Sequence, residues 1–250
     1  MIRISATIIA HNEEENIARC LDSLRDVADE IVVVDSFSLD GTEKICREKN
    51  VRFIQHTFEG YIEQKNFAVA QAVNDFVLAL DADECLSEQL RESIIEAKEN
   101  FSADAYAMNR LNNFCGKWIH HSGWYPDRKI RLWNRKLGNW SGVNPHDKVV
   151  LSDEARVNFL LGDLLHYTVK SVEQFKQQQE KFSSVAAAEI ARSGKRFSLL
   201  LQFFAAIFMF IRRFFFQLGF LDGYYGWLIC IESAKYSFRK YTTARTLKKA

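Results

Sequence analysis

Four short runs rich in β-branched and other apolar residues, ATIIA (6–10), EIVVVD (30–35), VRFIQH (51–56) and DFVLALD (75–81), are separated by stretches with helical spacing. Strands that alternate with helices are joined by crossovers, and crossovers connect parallel neighbours. The rhythm therefore predicts an α/β fold with a mostly parallel central sheet. Ile17, Cys20, Leu21 and Leu24 recur at intervals of three and four, as one face of a helix requires. Ser87 is placed to cap a further helix that turns Leu90, Ile94 and Ile95 inward.

Beyond residue 104 the texture changes. YAMNRLNNF, KIRLWNR and KVVL read as strands, broken by HSGWYPD and NWSGVNPHD, and both prolines, Pro126 and Pro145, fall in those breaks. An antiparallel, loop-rich half is expected there, and loops are where pockets are built. From about 170 onward the chain reads as helix, the first one ending at Gly194. The expected organisation is one α/β domain over 1–170, with its two halves dividing between 103 and 104. Residues 171–250 follow as helices that associate with a membrane.

Net charge divides the chain at a similar place. Residues 1–191 hold 22 Lys and Arg against 30 Asp and Glu; residues 192–250 hold 11 against two, Asp222 and Glu232. Excess positive charge on a phenylalanine-rich tail suits an anionic membrane surface, and no feature calls for nucleic acid. The run FSLLLQFFAAIFMFI (197–211) covers about 22 Å as a helix, short of the roughly 30 Å of a bilayer core. Extending it would bring in Arg212 and Arg213 at about 2.5–3.5 kcal/mol each. Amphipathic helices lying in the interface are expected instead, with GFLDGYYGWLICIESAKYSFRKY forming the second. Five scattered cysteines without a C-x-x-C pair indicate free thiols in a reducing compartment. The opening residues carry no pattern of a cleavable signal.

The ends of the strands carry the chemistry. Open parallel sheets bind ligands at the carboxyl ends of their strands. Asp81 and Asp83 follow the fourth run directly, and in extended chain residues two apart share a side. Two carboxylates aimed at one spot repel unless a cation joins them, and oxygen ligands of this kind suit Mg²⁺ or Mn²⁺. Asp35 ends the second run in the same way. No glycine-rich dinucleotide or P-loop motif occurs.

TIIAHNEEENI, IVVVDSFSLDGT, EQKNFA and LALDADE stand in the order and spacing of the family 2 glycosyltransferases. The resemblance runs on through KWIHHSGWYPDRKIRLWNR, VNPHDKV and GDLLHYTVKSVEQF. It is closest to the bacterial subgroup that includes lipopolysaccharide core β-1,4-glucosyltransferases. It implies a Rossmann-like glycosyltransferase A fold and an inverting, metal-dependent transfer, with UDP-glucose the expected donor. The acceptor would be a lipid-linked glycan such as the lipopolysaccharide inner core, at the cytoplasmic face of the bacterial inner membrane. Two alternatives are a polyprenyl-phosphate glycosyltransferase and a catalytically silent sugar-nucleotide-binding scaffold; oligomeric state, a homo-oligomer included, is left open.

Carried over by position, the resemblance makes Ala10, Glu13, Asp35, Lys65 and Asp81 the donor nucleotide site. Asp83 and His166 become the metal ligands and Asp147 the general base. Many relatives have His-Glu where this chain has His146-Asp147, which shortens the base's reach by one methylene. Trp124, Arg128 and Arg131 are candidates for acceptor contacts, because aromatic faces suit sugar rings and guanidinium groups suit phosphates or carboxylates. Trp133, in an alternating run, is expected in the core. His120 and His121 are adjacent and are given no catalytic role.

Overall fold

A computed structural model describes residues 1–144, 146–193 and 198–247. The chain forms two compact units. The first contains residues 1–110 and 127–167, the second residues 111–126 and 168–250. The expected boundary near 170 is thus crossed by one segment, 111–126, that groups with the C-terminal helices.

In the first unit β1 (Ile4–Ala10), α1 (Ile17–Ser23), β2 (Glu30–Asp35), α2 (Thr42–Glu48), β3 (Arg52–Gln55), α3 (Tyr61–Gln71) and β4 (Phe76–Asp81) alternate as the sequence predicts. The strands lie in the order β3-β2-β1-β4 and all pair in parallel. Successive crossovers go one way from β1 to β3, and the next places β4 on the other side of β1. That reversal opens a crevice beyond the strand ends, where Ala10 is level with Asp35 and Ile9 with Asp81.

The continuation is antiparallel, as expected for the later half. After β5 (Glu84–Leu86) and α4 (Glu88–Glu99) come β6 (Ala105–Phe114), β7 (Lys117–Ile119) and β8 (Asp127–Asn134). A hairpin of β9 (Gly138–Val143) and β10 (His146–Leu151) follows, then β11 (Val157–Val169). Strand β8 pairs antiparallel with β4 and carries the sheet on through β6, β11 and β5. The core beneath holds Ile4, Ile8, Ile17, Leu24, Leu78, Leu90, Ile94 and Leu132, with Ile95 only partly buried at its edge. Ser87 caps α4 by accepting from Leu90 N–H, and Trp133 is fully buried, both as expected.

The second unit contains α5 (Val172–Arg192), α6 (Leu199–Ile211) and α7 (Gly223–Leu247). The expected stop at Gly194 and the loop residue Pro145 lie outside the described residues; α5 closes on Ser193. Phe114, Ile119, Phe175, Leu228 and Ile229 form its core. Buried Asp222 ties segment 111–126 to the helices. It accepts from the backbone N–H groups of His120 (3.2 Å) and His121 (3.0 Å) and from the Ser122 hydroxyl (3.2 Å). His121 Nδ1 lies 3.1 Å from the same carboxylate. These two histidines therefore have a structural role in this unit.

Helix α6 continues through a π-helical turn, Arg212–Phe216, so the apolar helix is longer than its 15-residue core run suggests. The 18 residues Leu199–Phe216 are long and apolar enough to cross a membrane by length and composition, and among them only Gln202 is buried. Leu200, Phe203, Phe204, Ile207, Phe208, Ile211 and Phe215 follow helical spacing along one exposed face. The opposite side carries Gln202, which is buried and meets Thr242 of α7.

Candidate active site

Several charged residues of the first unit gather at the crevice beyond β1, β2 and β4. Asp35 ends β2 fully buried. Its carboxylate accepts from Ser38 N–H (2.8 Å) and from the Ser38 hydroxyl. The loops after β1 and β2 are knitted together: Ser36 N–H donates to Ala10 O, Leu39 N–H to Asn12 Oδ1, and Asn12 N–H to Ser38 Oγ. Glu13 joins them, its N–H on Thr42 Oγ1 at 2.8 Å and its carboxylate on Asn16 Nδ2 at 2.8 Å. Asn12 (φ 55°) and Phe37 (φ 57°) both adopt the left-handed region. For a half-exposed phenylalanine this is a strained conformation, of the kind proteins keep at functional loops. Ala10, Glu13 and Asp35 thus share one rim.

Asp81 and Asp83 do not share an extended strand, which corrects the expectation drawn from their spacing. The chain turns at Ala82 and Asp83 and re-enters the sheet as β5, so the two carboxylates take different partners. Asp81 faces Lys65 Nζ at 2.9 Å and Arg131 Nη2 at 3.4 Å. Asp83 faces His166 Nε2 at 3.2 Å, because β11 runs beside β5 with His166 level with Glu84.

Lys65 also reaches Asp147 Oδ2 at 2.8 Å, so its ammonium lies between two carboxylates. The two elements meet because Asn66 clasps the β9–β10 hairpin, exchanging hydrogen bonds with Trp140 N–H (3.0 Å) and Trp140 O (2.9 Å). Asn144 adds a third tie, accepting from Ile62 N–H at 3.0 Å. Trp140 then forms a floor under the cations, with Lys65 Nζ 4.4 Å and the Arg131 guanidinium 5.2 Å from its ring centre.

Burial by itself would push the Asp81 carboxyl up, but Lys65 and then Arg131 pull it well below the usual carboxylate range. Its Oδ1 is buried, with the Lys65 ammonium 2.9 Å away.

Two expected acceptor contacts are placed otherwise. Arg131 is 3% exposed, with its guanidinium 2.6 Å from Glu84 Oε1, so it supports Asp81 from within and does not face an acceptor. Burial opposes its charge, and the carboxylates of Glu84, Asp81 and Asp147 more than restore it, raising its pKa. Trp124 belongs to the second unit, where its ring packs near Phe114 (5.8 Å) and Phe175 (5.9 Å). Arg128 is exposed on β8, over the Phe159 ring at 5.1 Å.

Glu84 escaped the sequence reading. It is 1% exposed, accepts from Asp81 N–H at 3.0 Å, and has Arg110 at 3.6 Å in addition to Arg131. Its place directly after Asp81-Ala82-Asp83 was the available signal; only the pairing of distant β8 shows what it does. Trp140, the floor, was missed for the same reason.

Among the described residues no group of three or more His, Cys, Asp or Glu side chains is close enough to cage an ion. The Asp83–His166 pair offers one hard oxygen and one imidazole nitrogen. That fits a Mg²⁺ or Mn²⁺ whose remaining ligands come from phosphate oxygens and water.

A parallel β3-β2-β1-β4 half, an antiparallel continuation and acidic residues at the crevice are the elements of a glycosyltransferase A fold. The glycosyl transferase family 2 model matches residues 5–153, and this chain belongs to that family as a glycosyltransferase. An uncharacterised glycosyltransferase of Rickettsia typhi is 31% identical, over 96% of this chain and 85% of the relative. The lipopolysaccharide core biosynthesis glycosyltransferase LpsC of Rhizobium meliloti is 30% identical, over 94% of this chain and 89% of that one. Among solved structures, glucosyl-3-phosphoglycerate synthase of Mycobacterium tuberculosis with Mn²⁺ and UDP covers 45% of the chain at 21% identity and TM-score 0.38.

Proposed function

We propose that this enzyme is an inverting hexosyltransferase. It moves a sugar, with UDP-glucose the donor of choice, to a hydroxyl of a lipid-linked glycan such as the lipopolysaccharide inner core. The observation that carries this reading is the convergence of Asp35, Asp81, Asp83, His166, Lys65 and Asp147 on the crevice side of one unit. The kinship with LpsC supports the class of acceptor.

Ala10, Glu13 and Asp35 hold the nucleoside, where a buried carboxylate accepts from base or ribose. The Asp81 carboxylate accepts from a ribose hydroxyl. Asp83 and His166 would hold the divalent cation, which supplies positive charge to the departing diphosphate. Lys65 adds charge of the same sign. Asp147 takes the proton of the acceptor hydroxyl as that oxygen bonds to the anomeric carbon. The carbon–oxygen bond to the diphosphate breaks, and its electron pair leaves with the phosphate. A single displacement inverts the anomeric configuration. Arg128, exposed on β8, is available to an acidic group of the acceptor.

The acceptor's lipid places the enzyme at the cytoplasmic face of the inner membrane, peripheral or monotopic. Helix α6 presents an unbroken apolar face. The two acidic side chains after residue 191 are both buried, Asp222 at 3% and Glu232 at 2% exposure; Lys235 and Arg239 pair with Glu232, and the other cations of the tail suit headgroups. Arg212 and Arg213 at the end of α6 favour lying in the interface over spanning.

Calorimetric titration with UDP-, GDP- and TDP-sugars, with and without Mn²⁺, tests the reading. Metal-dependent binding of one nucleotide that is lost in Asp83→Ala is the expected result. A folded protein that binds none of them would overturn it.

A further inference from the structure

The Lys65 ammonium joins the donor side of the site to the acceptor side. It donates to Asp147 Oδ2 at 2.8 Å and lies 2.9 Å from Asp81 Oδ1. The lysine side chain is 8% and that of Asp147 12% exposed, so little water competes for the bond. An acceptor hydroxyl must share this carboxylate with the ammonium, because Oδ2 is already donated to. Without the ammonium, Asp147 would lose this partner and Asp81 would keep only Arg131 at 3.4 Å, so the two carboxylates would repel more strongly and the ammonium has a reason to stay until a bound group redistributes the charge.

We propose that Lys65 is a donor-operated latch on Asp147. In the empty site its ammonium holds the base. Binding of a nucleoside diphosphate group draws the ammonium along the Trp140 ring to the phosphate oxygens, and Asp147 is released to meet the acceptor hydroxyl. Donor therefore binds first and acceptor second. The inference rests on Asp147 being the base and on the donor being a nucleotide sugar, and it makes Lys65 a positioning residue whose partner changes during the cycle.

Thermodynamic linkage makes this measurable with one probe, UDP with Mg²⁺, titrated into the full-length protein. If the lysine must give up Asp147 to reach the diphosphate, removing that carboxylate removes a competitor. Asp147→Asn and Asp147→Ala should each tighten UDP·Mg²⁺ binding about tenfold, near the lower end of what a hydrogen bond to a charged group is worth. Lys65→Met should weaken it.

The decisive comparison is the double-mutant cycle. In the Lys65→Met background there is no ammonium to release, so Asp147→Asn should leave the affinity unchanged within twofold. If Asp147→Asn tightens binding equally in both backgrounds, the effect is general charge repulsion and the latch is wrong. Unchanged or weaker binding in both Asp147 variants, with circular dichroism showing native folds, also overturns it while the transferase reading stands. If wild-type protein binds no nucleotide diphosphate at all, the functional reading fails and the latch with it. Lys148→Gln, exposed on the same strand, should match wild type.

Discussion

Replacing Arg131 by methionine probes the buried charge network that supports Asp81. The guanidinium is 3% exposed and lies 2.6 Å from Glu84 and 3.4 Å from Asp81. Methionine fills much of its volume, so the loss is electrostatic. Glu84, with a fully buried side chain, would keep only Arg110 at 3.6 Å. Breaking one partner of a buried ion pair costs about 3–5 kcal/mol, because the remaining charge is cut off from water and poorly compensated. Against a total stability of about 5–15 kcal/mol, that is a large fraction.

Urea unfolding of the full-length protein, followed by tryptophan fluorescence and circular dichroism, should show the midpoint fall accordingly. Adding Glu84→Gln to Arg131→Met removes the stranded charge yet keeps an acceptor for Asp81 N–H. The double variant should therefore recover at least half of the loss. A cost under about 1 kcal/mol for Arg131→Met, or a double variant whose cost equals the sum of the singles, would show that the network does not carry the energy assigned to it.

Acid should destabilise the protein in a defined window. Burial raises the carboxyls of Asp29, Asp40 and Asp81, but hydrogen bonds and cations more than offset it, so all three lie below their usual value of 3.8. Groups depressed in the folded state stabilise it above the unfolded value and lose that contribution as pH falls through the folded one. The thermal midpoint should thus hold down to about pH 4 and drop steadily below it; a midpoint flat to pH 2 would contradict the assignments. At the membrane, Phe203→Glu with Phe208→Glu should abolish sedimentation with vesicles containing anionic lipid. Val73→Glu, 67% exposed on the first unit, should leave it intact. Equal sedimentation of both variants would remove the α6 face from the membrane contact.

The parallel half of the fold was legible because its information is local. Each strand there is a short apolar run, the first helix shows its spacing in Ile17, Cys20, Leu21 and Leu24, and Asp35 and Asp81 end strands whose direction the crossovers dictate. Asp83 was legible as a residue but not in its geometry, since nothing in D-A-D shows that the chain turns at Ala82 and returns as β5. His166 and Asp147 were found through family resemblance alone, lying far along the chain from the carboxylates they serve.

Amino-acid sequence by itself thus determined the layered α/β plan, the acidic crevice and the apolar, cationic tail, because periodicity and charge are properties of neighbours in the chain. Tertiary structure decided the pairings. It turned Arg131 inward onto Glu84, packed Trp124 against the second unit's core, set Lys65 between Asp81 and Asp147, and buried the tail's two acids. Each of these joins residues far apart in sequence, brought together by sheet register and helix packing, and no local pattern records such a meeting.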